Sequence, residues 1–304
     1  MKKFSIIFVL AICAILSTNS SATDIKLTVE AGKPVHAMSK DMYGLFFEDI
    51  NFAADGGLYA EMVWNRSFEF SEGLFSWKPG VLNGADAIFA LKKDQDALNG
   101  NNPTYVEINI TKAGKVTLLT DGFRGMVLNA DKNYDFSFYT RSAGDYNGSV
   151  LVELLTANGT IASSTTIESI TTEWKKYSFK LKSSASDTNA CLSLSFNGSG
   201  KVAVDMVSLF PEDTWKHQPN GLRADLVQIL ADMKPAFLRF PGGCIVEGKT
   251  LDNAYRWKDT IGDPAERKVN WNRWAGWDNP PQYYQSYGLG FFEYFRQMLP
   301  EHFR

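Results

Sequence analysis

Cysteine, histidine and long apolar runs are all scarce in this chain of 304 residues. Its three cysteines, Cys13, Cys191 and Cys244, lie far apart, which excludes a disulfide framework. The three histidines, His36, His217 and His302, show no ligand spacing, so neither a metal site nor any other cofactor is expected. A Gly-x-Ser-x-Gly nucleophile elbow is absent. Gly288-Leu289-Gly290 lacks the third glycine and the preceding strand of a dinucleotide loop. Nor is there an excess of positive charge: the formal net charge is −3. No basic field is available for a phosphate backbone, and nucleic acid is not an expected partner.

One apolar run stands out, Phe4 to Leu16, and its length of about 13 residues falls short of the ~20 needed to span a bilayer. It follows Lys2 and Lys3 and precedes the small residues Ser20-Ser21-Ala22. That order is the pattern of a secretory signal over residues 1–22, with a buried first helix as the other reading. The expected product is exported, periplasmic or extracellular, with no membrane association once the signal is removed.

What the chain does have is aromatic rings, at 13% of residues. Such rings fill cores and also stack on the apolar faces of sugars. Residues 23–70 open with an alternating strand, Ile25–Val29. A buried strand over Met42–Phe47 follows, ending in Glu48 and Asp49, and then a helical stretch over Leu58–Val63. From 71 to 210 the pattern becomes short β-rich runs: Tyr105–Ile110, Lys115–Leu119, Tyr134–Thr140, Val150–Leu155, Lys176–Leu181, Leu192–Phe196 and Val202–Leu209. Phe136, Phe138 and Thr140 alternate with Asp135, Ser137 and Tyr139, a period of two with one face buried. Asn147-Gly148, Asn158-Gly159 and Asn197-Gly198 supply tight turns. These features predict an antiparallel β-sandwich, with the jelly roll as one form it can take.

From 211 to 304 the rhythm is α/β. Asn220 caps a helix through Met233, with Leu222, Leu226, Ile229, Leu230 and Met233 on one stripe. Ala236–Phe240 is a strand, Pro241-Gly242-Gly243-Cys244 the loop at its end, and Leu289–Leu299 a second helix with Phe291, Phe292 and Phe295 in the core. This is the order of a parallel barrel or a doubly wound sheet, of which only a fraction fits here, since a full barrel takes ~250 residues.

The chemistry-bearing residues cluster at strand ends. A carboxylate such as Glu48 accepts hydrogen bonds from ligand hydroxyls, and glycines such as Gly242 and Gly243 let backbone amides approach closely. Spacing alone equally allows Glu48 to cap a helix and the glycines merely to turn the chain. Trp271, Trp274 and Trp277 fall in a polar loop and could wall a sugar site. Acids and aromatics without a nucleotide motif favour carbohydrate over phosphorylated ligands.

Two groups of segments resemble glycoside hydrolase family 51 α-L-arabinofuranosidases. One is Tyr43-Gly-Leu-Phe-Phe-Glu-Asp-Ile-Asn51 with Ala54–Glu61 and Asn65–Phe70. The other is Arg239-Phe-Pro-Gly-Gly-Cys-Ile-Val-Glu-Gly248 with Tyr255–Gly262 and Gly288–Phe295. The resemblance implies a multidomain chain: a jelly-roll β-sandwich (71–210) inserted into an incomplete (β/α)8 TIM barrel. Residues 23–70 would supply the first strands of the barrel and of a C-terminal-type sandwich, and 211–304 a truncated part of the barrel. It also implies retaining, exo-acting removal of arabinofuranosyl side chains from plant polysaccharides such as arabinoxylan or arabinan, using two glutamates ~5 Å apart. Glu48 matches the sugar-binding glutamate, Gly243 and Cys244 the loop lining the pocket, and Trp274 or Trp277 a wall on the aglycone side. The family's acid/base glutamate follows an asparagine, and this sequence contains no Asn-Glu dipeptide. Both catalytic glutamates are therefore expected beyond this chain, with no catalytic residue within it, and the isolated polypeptide is expected to be inactive. The alternative is a non-catalytic carbohydrate-binding protein that uses only the sandwich.

Overall fold

The computed structural model describes residues 24–277 and 280–298; the expected signal, 1–22, lies outside them. Two units are distinguished, 1–40 and 41–304. In the first, Ile25–Val29 forms no strand. Ile25, Leu27 and Val29 are all exposed, so their alternation serves no buried face.

The second unit begins with a two-residue strand, β1 (Leu45–Phe46), and most of its regular structure is a sandwich of eleven strands. These are β2 (Lys78–Leu82), β3 (Asp86–Lys93), β4 (Thr104–Lys112), β5 (Lys115–Thr120), β6 (Met126–Leu128), β7 (Asn133–Ser142), β8 (Ser149–Leu155), β9 (Ile161–Ile167), β10 (Lys175–Lys182), β11 (Asp187–Asn197) and β12 (Gly200–Pro211). One sheet runs β10-β7-β12-β4-β3. The other runs β2-β5-β11-β8-β9, with β6 also pairing β11. Every pairing within the sandwich is antiparallel. The alternation of β7 is realised: Tyr134, Phe136, Phe138 and Thr140 point inward, where they meet Val106, Ile108, Leu118, Val152, Leu194 and Phe196. β2, β3 and β9 have no counterpart among the expected runs, and all three are edge strands. An edge strand tolerates Pro79 and Gly80 in β2 and the Ser/Thr run of β9, because one side of its backbone faces water.

The sandwich grips the preceding segment through an irregularity. The register of β12 against β7 shifts between Asp205 and Ser208. A bulge turns backbone groups away from the ladder, and here Val207 N–H donates to the Arg66 carbonyl (2.9 Å) and Met62 N–H to that of Leu209 (2.9 Å). Leu58–Val63, expected as helix, is non-helical. Its backbone bonds go outward instead, as in Ala60 N–H to the Gly221 carbonyl at 3.1 Å.

After the sandwich come α1 (Ala224–Asp232), β13 (Leu238–Arg239), a one-turn helix α2 (Cys244–Glu247), and the short strands β14 (Asn270–Trp271) and β15 (Tyr284–Gln285). Helix α1 starts later than expected: Asn220 has φ +53 and caps nothing, and Leu222 is buried ahead of the helix. Ile229 and Met233 face solvent, leaving Val227 as the buried member. Near Phe291 the chain passes from α geometry (Phe291–Glu293) to a π turn (Tyr294–Met298). The wider turn places Tyr294 inside and leaves Phe292 and Phe295 about half exposed, against the expected core. The rest of the expected helix, from Leu299, lies outside the described residues. The expected incomplete barrel is not seen as such: among the described residues, parallel pairing consists of β1 with β13 and an isolated bridge between Asp55 and Tyr59. Phe46, expected to be buried in its strand, is exposed on one face of that pair.

Candidate functional site

Strands β1 and β13 run parallel with Leu45 beside Leu238 and Phe46 beside Arg239, extended by Phe47 N–H donating to the Arg239 carbonyl (2.9 Å). Parallel pairing brings the two carboxyl ends to one edge, the place where open α/β sheets bind ligands. Residues far apart in sequence therefore meet. Glu48, just past β1, accepts a 2.9 Å hydrogen bond on Oε1 from the backbone N–H of Ile245, past β13.

The loop between Arg239 and Cys244 is shaped to receive Glu48. Gly242 has φ +147, and a Cβ on it would lie 2.5 Å from Glu48 Cγ. Only glycine combines that backbone angle with that approach. Gly243 is less constrained: a Cβ there would sit 3.8 Å from Glu48 Oε2 and 3.9 Å from Arg239 Nη2. The steric demand thus falls on Gly242, while a side chain at Gly243 would come into ordinary van der Waals contact with Glu48, Arg239 and Phe46. Cys244 is a free, half-buried thiol at the start of α2. The Arg239 guanidinium lies 4.4 Å over the Phe46 ring, which holds its charge at this edge.

An aromatic wall completes the site. Trp274 Nε1–H donates to Glu48 Oε1 at 3.4 Å, and Trp277 packs edge-on against Trp274 with centroids 5.9 Å apart. Trp274 is half-buried and Trp277 is 76% exposed, so the wall runs from the carboxylate out to solvent. Arg273 fastens this loop to the end of α2, donating to the Gly248 carbonyl (2.5 Å) and pairing with Glu247 (3.6 Å). Behind it Arg267, almost fully buried, pairs with Glu293 (2.9 Å) and donates to the carbonyls of Gly262 (2.8 Å) and Tyr287 (2.7 Å).

Directly behind Glu48, Asp49 is buried, and the loss of water together with the nearby Asp55 carboxylate pushes its pKa up to about 7. Burial raises Asp55 as well, opposed by hydrogen bonds from Ser286 N–H (2.6 Å) and Oγ–H (2.7 Å). Among the described residues no group of three or more His, Cys, Asp or Glu is arranged to hold a metal ion. A cleft of about 990 Å³ opens elsewhere, lined by Glu61, Phe123, Tyr134, Lys180, Glu212 and Arg223 among others, and none of the five expected site residues borders it. Its charges already answer one another, Lys180 with Asp135 and Glu212, Arg223 with Asp225.

Residues 229–299 match the family described as Alpha-L-arabinofuranosidase 1 domain. An extracellular exo-α-L-arabinofuranosidase of Streptomyces chartreusis is 38% identical over 290 residues, covering 90% of this chain and 33% of that protein. This chain is a relative of the α-L-arabinofuranosidases of glycoside hydrolase family 51. The α-L-arabinofuranosidase 1 of Arabidopsis thaliana is 34% identical over 279 residues, 87% of this chain and 39% of that one. A solved arabinose-bound α-L-arabinofuranosidase of family 51 superposes with a TM-score of 0.76 at 32% identity, over 87% of this chain and 43% of that one. The chain thus spans between a third and a half of the length of these arabinofuranosidases.

In this arabinofuranosidase relative, Glu48, Gly243, Cys244, Trp274 and Trp277 all lie around one strand-end site. Sequence reasoning passed over Asn272 and Tyr283, which lie inside the aromatic loop and bond Asp49. Their only advance signal was an amide and a phenol among residues otherwise read as a sugar-stacking surface.

Proposed function

We propose that Glu48, Gly243, Cys244, Trp274 and Trp277 form the pocket for a terminal L-arabinofuranosyl residue. The chain is then part of an exported, retaining, exo-acting α-L-arabinofuranosidase that works on arabinose side chains of plant polysaccharides such as arabinoxylan or arabinan. The observation that carries this reading is the Glu48 carboxylate. Its Oε1 is held by the Ile245 amide and the Trp274 indole, and its Oε2 lies beside Gly243, 3.8 Å from where a Cβ on that residue would sit. A carboxylate oriented by two donors on one oxygen is suited to accept hydrogen bonds from furanose hydroxyls on the other, with the indole as an apolar wall.

In this role Glu48 binds and orients; it does not break the glycosidic bond. Retaining hydrolysis uses two carboxyl groups ~5 Å apart across the anomeric carbon. The neighbouring acid, Asp49, is buried and committed to Tyr283 (2.7 Å) and the Ala54 N–H (3.0 Å). With no Asn-Glu dipeptide in the sequence, the 304-residue polypeptide binds the sugar without cleaving it. Where the two reacting carboxylates are present, contacts to the hydroxyls strengthen as the ring flattens toward the oxocarbenium-like transition state.

The test pairs an NMR titration of the purified chain with L-arabinose and an assay on 4-nitrophenyl α-L-arabinofuranoside. Saturable binding without nitrophenol release is expected, and Glu48→Gln should weaken binding by about tenfold or more, the loss of one charge-assisted hydrogen bond. Arabinoside hydrolysis by the chain would refute the non-catalytic role. Absence of binding would refute the pocket. If the sandwich alone were the sugar-binding part, Glu48→Gln would leave retention on arabinoxylan unchanged.

A further inference from the structure

Trp274 is held in place by a closed circuit of hydrogen bonds that begins and ends at adjacent residues. Asn272, fully buried, donates from Nδ2 to the backbone carbonyl of Asp49 (3.0 Å) and to Asp49 Oδ2 (3.4 Å). Through Oδ1 it accepts the backbone N–H of Trp274 (2.8 Å), and its own carbonyl accepts that of Ala275 (3.0 Å). The Trp274 indole then returns to Glu48, the residue before Asp49. Asp49 Oδ1 anchors the far side of the loop by accepting from the Tyr283 hydroxyl (2.7 Å), while Tyr283 accepts Phe52 N–H (3.0 Å) and its carbonyl takes the Asn272 N–H (3.0 Å). Both polar ends of the Asn272 amide are thus used, one on each side of the site.

From this geometry we infer that Asn272 and Asp49 form a clamp whose role is to position the Trp274 indole over Glu48. They are positioning residues that set the width of the sugar pocket without touching the sugar. The inference rests on the reading of Glu48 and Trp274 as an arabinofuranose site. Its physical basis is that a buried amide with every donor and acceptor satisfied has one orientation, and a side chain two residues away inherits that order. A structural role alone would be equally served by any arrangement that buries Asn272. The clamp requires in addition that the indole lose its fixed direction when the amide is removed.

The experiment uses the whole chain, L-arabinose as probe, and near-ultraviolet circular dichroism as a report on the Trp274–Trp277 pair, with Trp277→Phe assigning the band. Asn272→Ala should lose that band and bind arabinose about tenfold more weakly, with the far-ultraviolet spectrum of the sandwich unchanged. Asp49→Asn, which keeps acceptors for Tyr283 and Ala54 but turns a donor toward Asn272, should give a smaller loss of both signals; it serves as the second variant if Asn272→Ala folds poorly. Wild-type affinity and an intact band in both variants, with Glu48→Gln still defective, would overturn the clamp and leave the pocket standing. If the wild-type chain binds no arabinose, the pocket reading fails. In that case an intact band in the variants overturns the clamp, and a lost one upholds it as an organiser of the indole pair.

Discussion

In the sandwich, neighbouring strands exchange backbone bonds over registers such as Lys175–Lys182 against Asn133–Thr140, around an interior of Val, Ile, Leu and Phe. The segment that carries the site has strands of two residues. It relies on buried and half-buried polar side chains reaching backbone groups: Asn102 to the 265–269 turn, Asn253 to Trp271, Asn270 to Asn253, Arg267 to Gly262 and Tyr287. The first kind of stability is spread over many equivalent contacts. The second is concentrated in a few, so its geometry is well defined but any one loss is local and large relative to what remains. A site that must hold a carboxylate and an indole in fixed relation benefits from the second kind, and the sandwich gives it something rigid to lean on. The join is itself polar: Glu61 pairs with Arg66 (3.6 Å) and accepts from Ser208 and from Leu209 N–H (2.9 Å).

The contrast can be broken in order of expected size. Phe138→Ala, a fully buried ring in the middle of β7, should cost about 4 kcal/mol in urea unfolding and lower the whole sandwich transition. An equal fall in the stability of the site segment would mean that the two regions are one cooperative core. Asn102→Ala should cost about 2 kcal/mol, because it orphans the Arg267 carbonyl and the Val269 N–H and leaves the Ala265 carbonyl with Asn99 as its donor. Hydrogen exchange should quicken in residues 263–271 and not in β4, β7, β11 or β12; uniform quickening would contradict the point-like picture.

The smallest effect is a slope with pH. Asp49 holds a proton in the folded state up to about pH 7, whereas its unperturbed value is 3.8. Between those values the folded form binds more protons than the unfolded one, so stability falls as pH rises and levels off above the upper value. Between pH 6 and 8 the fall is about 1 kcal/mol, and Asp49→Asn should flatten it. A rise in stability over that range would place the proton elsewhere.

How far the sequence could be read differs between the two regions for the same reason. Period two in Tyr134–Thr140 reports burial of one face, and burial of one face is what a sandwich strand needs; the long central strands and the edge strand β10 were therefore legible, while the edge strands β2, β3 and β9 and the three-residue β6 were not. Leu222 to Met233 showed a helical stripe, yet Ile229 and Met233 face solvent among the described residues, because a stripe names a face without naming what covers it. In the site segment the residue types were legible: acids and glycines after apolar runs, indoles in a polar loop. Their assembly was not. Gly243 drew attention where Gly242 meets the steric demand, and Asn272 gave no pattern at all.

By itself, then, the order of residues determined the alternating central strands, the tight turn at Asn158-Gly159 that joins β8 to β9, and the stock of groups available for sugar chemistry, all of which are written in neighbours along the chain. Only the tertiary structure decided that the Glu48 carboxylate would reach an amide 197 residues away, and that Asn272 would tie the Trp274 loop to Asp49. Parallel pairing of β1 with β13 and burial of a single amide are long-range events, and no local periodicity encodes which distant partner a hydrogen-bonding group will find.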